Sequence, residues 1–117
     1  EESQHAILDE LEWQRENARL TDGERDRAVD DLIMLVGAVD GLLQPQARAD
    51  ATYFVRCLGR ALRGEEEAHV AGALLRAYRW QYIISGVQEA RFAQLLGGMV
   101  SAAQMQRIQA ALAPLMP

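Results

Sequence analysis

The stretch VDDLIMLVGAVDGLL, residues 29–43, decides the fold of this 117-residue chain. Its apolar residues recur three and four positions apart, which is the spacing of an α-helix and not of a β-strand. These residues are Val29, Leu32, Ile33, Leu35, Val36, Val39, Leu42 and Leu43. They cover well over half of the circumference of the predicted helix. Because a helix that is apolar on so much of its surface is packed on several sides, we expect it at the centre of a helical bundle.

Start and stop signals bound this central helix. Thr21 and Glu24 have the spacing of a capping box, in which each side chain bonds a free backbone amide at a helix start. Pro45 is predicted to end the helix or to open the next one, because proline has no N–H to donate within a helix. Asp40 falls in line with the apolar residues and therefore needs a partner. We expect it either to cap a turn at Gly41 or to pair with an arginine.

The rest of the chain has the same helical spacing. Further helices are predicted over about residues 3–20, 46–62 and 65–84, and the capping-box patterns Ser85–Gln88 and Ser101–Gln104 predict two short ones after them. Gly37 and Gly41, four positions apart, predict close approach of another helix. The predicted fold class is therefore all-α, a single domain over residues 1–117. We expect a compact bundle of five or six helices with the second and fourth central.

Composition narrows the class of protein. The chain is half hydrophobic and one quarter charged, as globular domains are. Its net charge of −5 and isoelectric point near 5.0 argue against nucleic-acid binding, which needs a basic surface. All twelve basic residues are arginine, a usage typical of GC-rich bacterial genomes. The single cysteine, Cys57, is expected in the core. No apolar run of membrane-spanning length and no signal peptide is visible, so we expect a cytoplasmic protein that binds no membrane.

Both histidines follow a glutamate by three positions, in the pairs Glu2/His5 and Glu66/His69. On a helix this spacing puts carboxylate and imidazole on one face, where they could bind a metal together. These four residues resemble the Glu-x-x-His ligands of ferritin-like di-iron bundles, which implies an iron, manganese or zinc site. The two bridging glutamates of that family have no counterpart here, since the second and third predicted helices carry only aspartates. A site of this kind would need completion across a subunit interface. The alternative is that both are surface pairs.

Trp80, with Arg76 and Arg79 close by, has the residue types enriched at protein-binding hot spots, and Trp13 is a further candidate anchor. Tyr78 and Tyr82, four apart, are expected in the core. The sequence has no catalytic triad pattern, Walker loop, dinucleotide fingerprint or zinc-finger spacing. The leading prediction is a non-enzymatic interaction protein, an adaptor, regulator or assembly factor that binds a protein partner or itself and needs no cofactor. The metal-binding bundle is the alternative.

Overall fold

The computed structural model describes the backbone of residues 2–61 and 63–116, and the side chains from residue 4 onward over the same ranges. Within them α3, a π-helical turn and α4 run on as one rod, so there are five helical rods and no strand, which confirms the all-α prediction. The elements are α1 (Glu2–Asn17), α2 (Asp22–Cys57), α3 (Gly64–Arg79), the π-helical turn (Trp80–Ile84), α4 (Ser85–Val87), α5 (Ala90–Met99), α6 (Ala102–Leu112) and a 3-10 turn (Ala113–Leu115).

Pro45 does not end a helix. α2 runs unbroken for 36 residues, so the predicted second and third helices are one, and the predicted end of the third, Leu62, lies outside the described residues. A proline within a helix costs about 3 kcal/mol, because the carbonyl four residues earlier loses its donor. That carbonyl belongs to Gly41, which like Pro45 is exposed to water. Buried residues on both sides of the proline, such as Leu43 and Ala47, hold the helix together across it.

Two of the three predicted capping boxes are confirmed. At the start of α2 the Glu24 carboxylate accepts a hydrogen bond from the Thr21 backbone N–H at 2.8 Å, and the Thr21 hydroxyl accepts one from the Glu24 backbone N–H. Ser101 and Gln104 make the same exchange at the start of α6. These boxes were predictable because the atoms that pair lie within four residues of one another.

The third predicted capping box, Ser85–Gln88, is not formed, so that prediction is wrong. Ser85 lies inside the rod, and its hydroxyl donates to the Gln81 carbonyl at 3.1 Å. The next helix, α5, begins five residues later at Ala90, and the carboxylate of the preceding Glu89 accepts a hydrogen bond from the Phe92 backbone N–H at 2.7 Å. The helix predicted to run to about residue 62 ends earlier, at Cys57, and Gly59 takes the left-handed conformation after it; α3 begins at Gly64.

α2 and α3 form an antiparallel hairpin held by a buried ion pair. Arg79 Nε and Nη2 donate to the two Asp40 carboxylate oxygens at 2.6 and 2.9 Å, and Gln44 donates to the same carboxylate at 2.8 Å. Asp40 is buried. Its predicted pairing with an arginine is confirmed, and its alternative role as a turn cap is excluded because α2 continues through Gly41. Hydrogen bonds from Arg79 lower the pKa of Asp40, against the effect of burial.

Two groups of buried side chains lie on one side of α2. Val29, Leu96 and Ile108 join its first half to α5 and α6. Leu43, Ile83 and Ile84 join its middle to the rod that contains α3. Around the first group, Arg107 of α6 forms ion pairs with Asp26 and Asp30 of α2. α1 packs through Trp13 on Phe92 of α5, with ring centroids 5.7 Å apart, and its Glu10 pairs with Arg91.

The π-helical turn changes which residues of the rod face the core. A π-helical turn holds more residues than an α-helical one, so side chains within and after it are displaced around the helix axis. Ile83 and Ile84 are buried as a result, whereas Tyr82 is 62% exposed. Tyr78 remains half-buried and donates a hydrogen bond to Asp50 at 2.6 Å. The prediction that Tyr82 belongs to the core is therefore wrong.

The molecule is more extended than the predicted compact bundle. It measures 58 × 34 × 19 Å, with a radius of gyration of 18.2 Å against the roughly 13 Å of a compact chain of this length. Cys57, expected in the core, is exposed near the end of α2. Gly37 and Gly41 have open space where a side chain would stand, so no described part of the chain makes the predicted close approach.

Asp40→Asn should destabilise the protein by about 3 kcal/mol near neutral pH, because it leaves the half-buried Arg79 charge without its counter-ion. The folded pKa of Asp40 is lowered, so its contribution to the free energy of unfolding is complete above about pH 3.9 and is lost as the pH falls through the folded value. Denaturant unfolding at several pH values should therefore show the two proteins converging in acid. Asp31→Asn, at an exposed site on α2, is the control and should change little. An equal loss in both variants would contradict the assignment.

Ile84→Ala should cost about 2–5 kcal/mol of stability, since Ile84 is only 1% exposed. Ile7→Ala removes the same atoms from a side chain that is 46% exposed, and it should cost about 0.5 kcal/mol or less. Chemical denaturation of the two variants measures the difference. Similar losses would mean that the register set by the π-helical turn is not the one described.

Candidate interaction surface

An apolar groove of about 460 Å³ opens along the first half of α2, and we call it the α2 groove. Its floor includes the buried Ile83, Leu96 and Ile108. Except for one glutamate, its walls are apolar side chains and a glycine. The lining residues are Leu32, Ile33, Leu35, Val36, Val39, Tyr82, Ile83, Gly86, Val87, Glu89, Phe92, Leu96, Ile108, Ala111 and Leu112. Water therefore lies against a long, nearly uncharged concave surface.

A ridge of two leucines stands beside this groove. Leu35 is 61% exposed and Leu42 is 71% exposed, and they lie on one side of α2 two helical turns apart. We call this pair the α2 ridge. Tyr82 adds a third large exposed side chain on the far wall of the groove. The sequence predicted that α2 is packed on several sides, but the described residues pack on one side and leave the ridge in water.

The sequence contains the signal for this second surface. Leu32, Leu35, Val39, Leu42 and Gln46 are spaced by three, four, three and four residues, which is the a/d pattern of a coiled-coil seam. A second stripe, from Val29 to Leu43, carries the intramolecular core, and Leu32 and Val39 of the first stripe also pack, half-buried, against that core. In the sequence the two stripes overlap and indicate only a helix that is apolar on nearly all of its circumference. Separating them requires knowing which side the other helices of the chain cover.

The predicted anchor residues are not brought together by the fold. Trp80 is 52% exposed in the π-helical turn, and Arg76 is exposed one turn earlier, but neither lines the α2 groove. Arg79 is occupied by Asp40, and Trp13 is half-buried against Phe92. Of the four residues, Trp80 and Arg76 have the exposure that a binding anchor needs, and a role for them in binding stays a prediction.

The predicted metal ligands Glu66 and His69 lie at the start of α3. The Glu66 carboxylate accepts a hydrogen bond from the Arg63 backbone N–H at 2.9 Å and pairs with Arg60 at 3.4 Å. These two contacts, the backbone one first, lower the pKa of Glu66. His69 is exposed, and with Glu65 and Glu66 it borders a shallow surface pocket beside Phe54. Glu66 therefore acts as the cap of α3 in the geometry observed.

The second pair is only partly described. His5 is exposed on α1, and the side chain of Glu2 lies outside the described residues. Among the side chains that are described, no three His, Cys, Asp or Glu lie together as a metal site requires. A site completed by a second subunit stays a prediction.

Elemental analysis of untagged protein purified without chelator tests the metal prediction. Because Glu66 is already bound as a cap and an ion-pair partner, we expect no stoichiometric iron, manganese or zinc in the wild type or in His69→Ala. Near-stoichiometric metal that disappears in His69→Ala, but is kept in Arg76→Ala, would contradict this expectation and make Glu66 and His69 ligands.

None of the described helices is both long enough and apolar enough to cross a membrane. No protein-family model, no curated protein and no solved structure matches this chain.

Proposed function

We propose that this protein is a non-enzymatic interaction protein, an adaptor, regulator or assembly factor, that works as a self-associated helical oligomer. The observation that carries the proposal is the amount of surface left in water. The chain exposes 8295 Å², whereas a compact 13.0 kDa monomer exposes about 6300 Å², so about 2000 Å² is in excess. Each partner in a stable protein interface buries about 800 Å². The excess is therefore large enough for such an interface.

The chemical character of the exposed surface supports the same function. Among the described side chains twelve large hydrophobic ones are exposed, and Leu35, Leu42 and Tyr82 are each more than 60% exposed. Exposed apolar side chains scattered singly are ordinary, but a contiguous patch around a groove is typical of a binding site. Binding is the activity that these side chains fit.

Sedimentation equilibrium of the purified protein over a wide concentration range tests the proposal. We expect a discrete species whose mass is a whole multiple of 13.0 kDa, held mainly by apolar contacts and thus little changed by salt or chelator. A protein that remains a 13.0 kDa monomer at every concentration would contradict self-association.

A further inference from the structure

We infer that the α2 groove and the α2 ridge form a homodimer interface, in which the ridge of each copy lies in the groove of the other. The inference rests on the self-association proposed above and adds its location, occupant and symmetry. The occupant is a second copy of this chain. Three features of the described residues lead to that choice: charge, the arrangement of ridge and groove, and the spacing of the stripe.

The charge distribution favours self-pairing on this face. Among the described residues that line the groove, Glu89 alone is charged, and its carboxylate is held at the start of α5 by the Phe92 backbone N–H. Leu35 and Leu42 add no charge. Elsewhere two copies with net charge −5 repel one another. A different partner for an acidic protein would be expected to offer basic residues to an acidic patch, whereas this face offers apolar area and almost no charge.

The side-by-side arrangement of ridge and groove fixes the symmetry. A twofold axis running along α2 exchanges left and right across the interface, so the ridge of one copy meets the groove of the other. A twofold axis running across α2 would place ridge against ridge and groove against groove, and the grooves would stay unfilled. Contacts in such a dimer are isologous, each copy giving and receiving the same ones. The α2 helices therefore run parallel.

The spacing of the stripe agrees with parallel helices. Leu35 and Leu42 take the d positions, and Leu32 and Val39 take the a positions. Of the two a residues only Val39 is β-branched, and a β-branched residue at a with leucine at d favours parallel two-stranded packing. Gln46 follows at the next a position, where its side-chain amide donates a hydrogen bond to Asp50 of the same helix at 2.9 Å, so the apolar stripe ends there. The excess of about 2000 Å² per chain is spread over the whole elongated molecule and is larger than the roughly 800 Å² that each partner in a stable interface buries.

The decisive variants change two neighbouring residues whose side chains have similar exposure. Leu35 is 61% and Met34 is 66% exposed, but only Leu35 lines the groove. Leu35→Glu should weaken the dimer at least thirtyfold in sedimentation equilibrium, the size expected for a residue worth about 2 kcal/mol or more at an interface. Met34→Glu should dimerise as the wild type does. Both should keep the circular dichroism of the wild-type helices, because neither side chain is buried.

The outcomes separate this inference from the proposed function. A monomeric wild type would overturn both. An oligomer that withstands Leu35→Glu and Leu42→Glu, or one that Trp80→Ala dissociates instead, would overturn the location and leave self-association standing.

A cross-linking experiment tests the parallel arrangement. With the exposed Cys57 changed to serine, mixed Leu42→Cys and Tyr82→Cys chains should form covalent dimers on oxidation. Leu42 and the groove-wall residue Tyr82 lie at the same level of the molecule, and a twofold axis along α2 sets the ridge of one copy against the groove of the other. Covalent dimers formed only when Leu35→Cys and Leu42→Cys chains are mixed would overturn it.

Discussion

The length of α2 is the constraint on which the rest of this structure depends. Thirty-six residues at 1.5 Å each make a rod of about 54 Å, nearly the whole 58 Å length of the molecule. The α3 rod packs along its middle and later part, and α5 and α6, each only about 15 Å long, cover part of its beginning. α1 packs on α5. The chain has too little helix to surround α2, and the side with Leu35 and Leu42 is left uncovered.

The Asp40–Arg79 pair and the π-helical turn decide how α3 lies on α2. Arg79 is the last residue of α3, and the change of register begins directly after it. A buried ion pair contributes little net stability compared with an apolar contact, but a mismatched alignment that leaves one charge alone is costly. The pair thus favours a single alignment of the hairpin. From that point the π-helical turn buries Ile83 and Ile84 and places Tyr82 on the groove wall. One local irregularity therefore shapes both core and groove.

The start of α3 shows why a Glu-x-x-His pair need not be a metal site. A glutamate at the third position of a helix can also bond the free backbone N–H of the residue just before the helix. Glu66 does so, and Arg60 neutralises the remaining charge. A metal ion would have to displace both contacts before it gained a carboxylate ligand. Spacing on a helix is shared by caps and ligands, and only the neighbouring groups distinguish them.

The sequence by itself determined the features that depend on atoms close together in the chain. The all-α class and the caps at Thr21 and Ser101 follow from apolar spacing and from hydrogen bonds that span three residues. The need of Asp40 for a partner was also evident, although which arginine supplies it was not. The prediction that Pro45 ends a helix was wrong, because it used only the low helix propensity of proline. Burial of residues on both sides of Pro45 keeps α2 continuous through it.

Tertiary structure decided the rest. Tyr82 is exposed because of the register shift in the π-helical turn, and Cys57 is exposed because of where the neighbouring helices end. No local sequence pattern predicts either cause. The same holds for the candidate interface. The stripe from Leu32 to Gln46 is visible in the sequence. Whether other helices of the chain cover it depends on their length and placement, which only the folded structure shows.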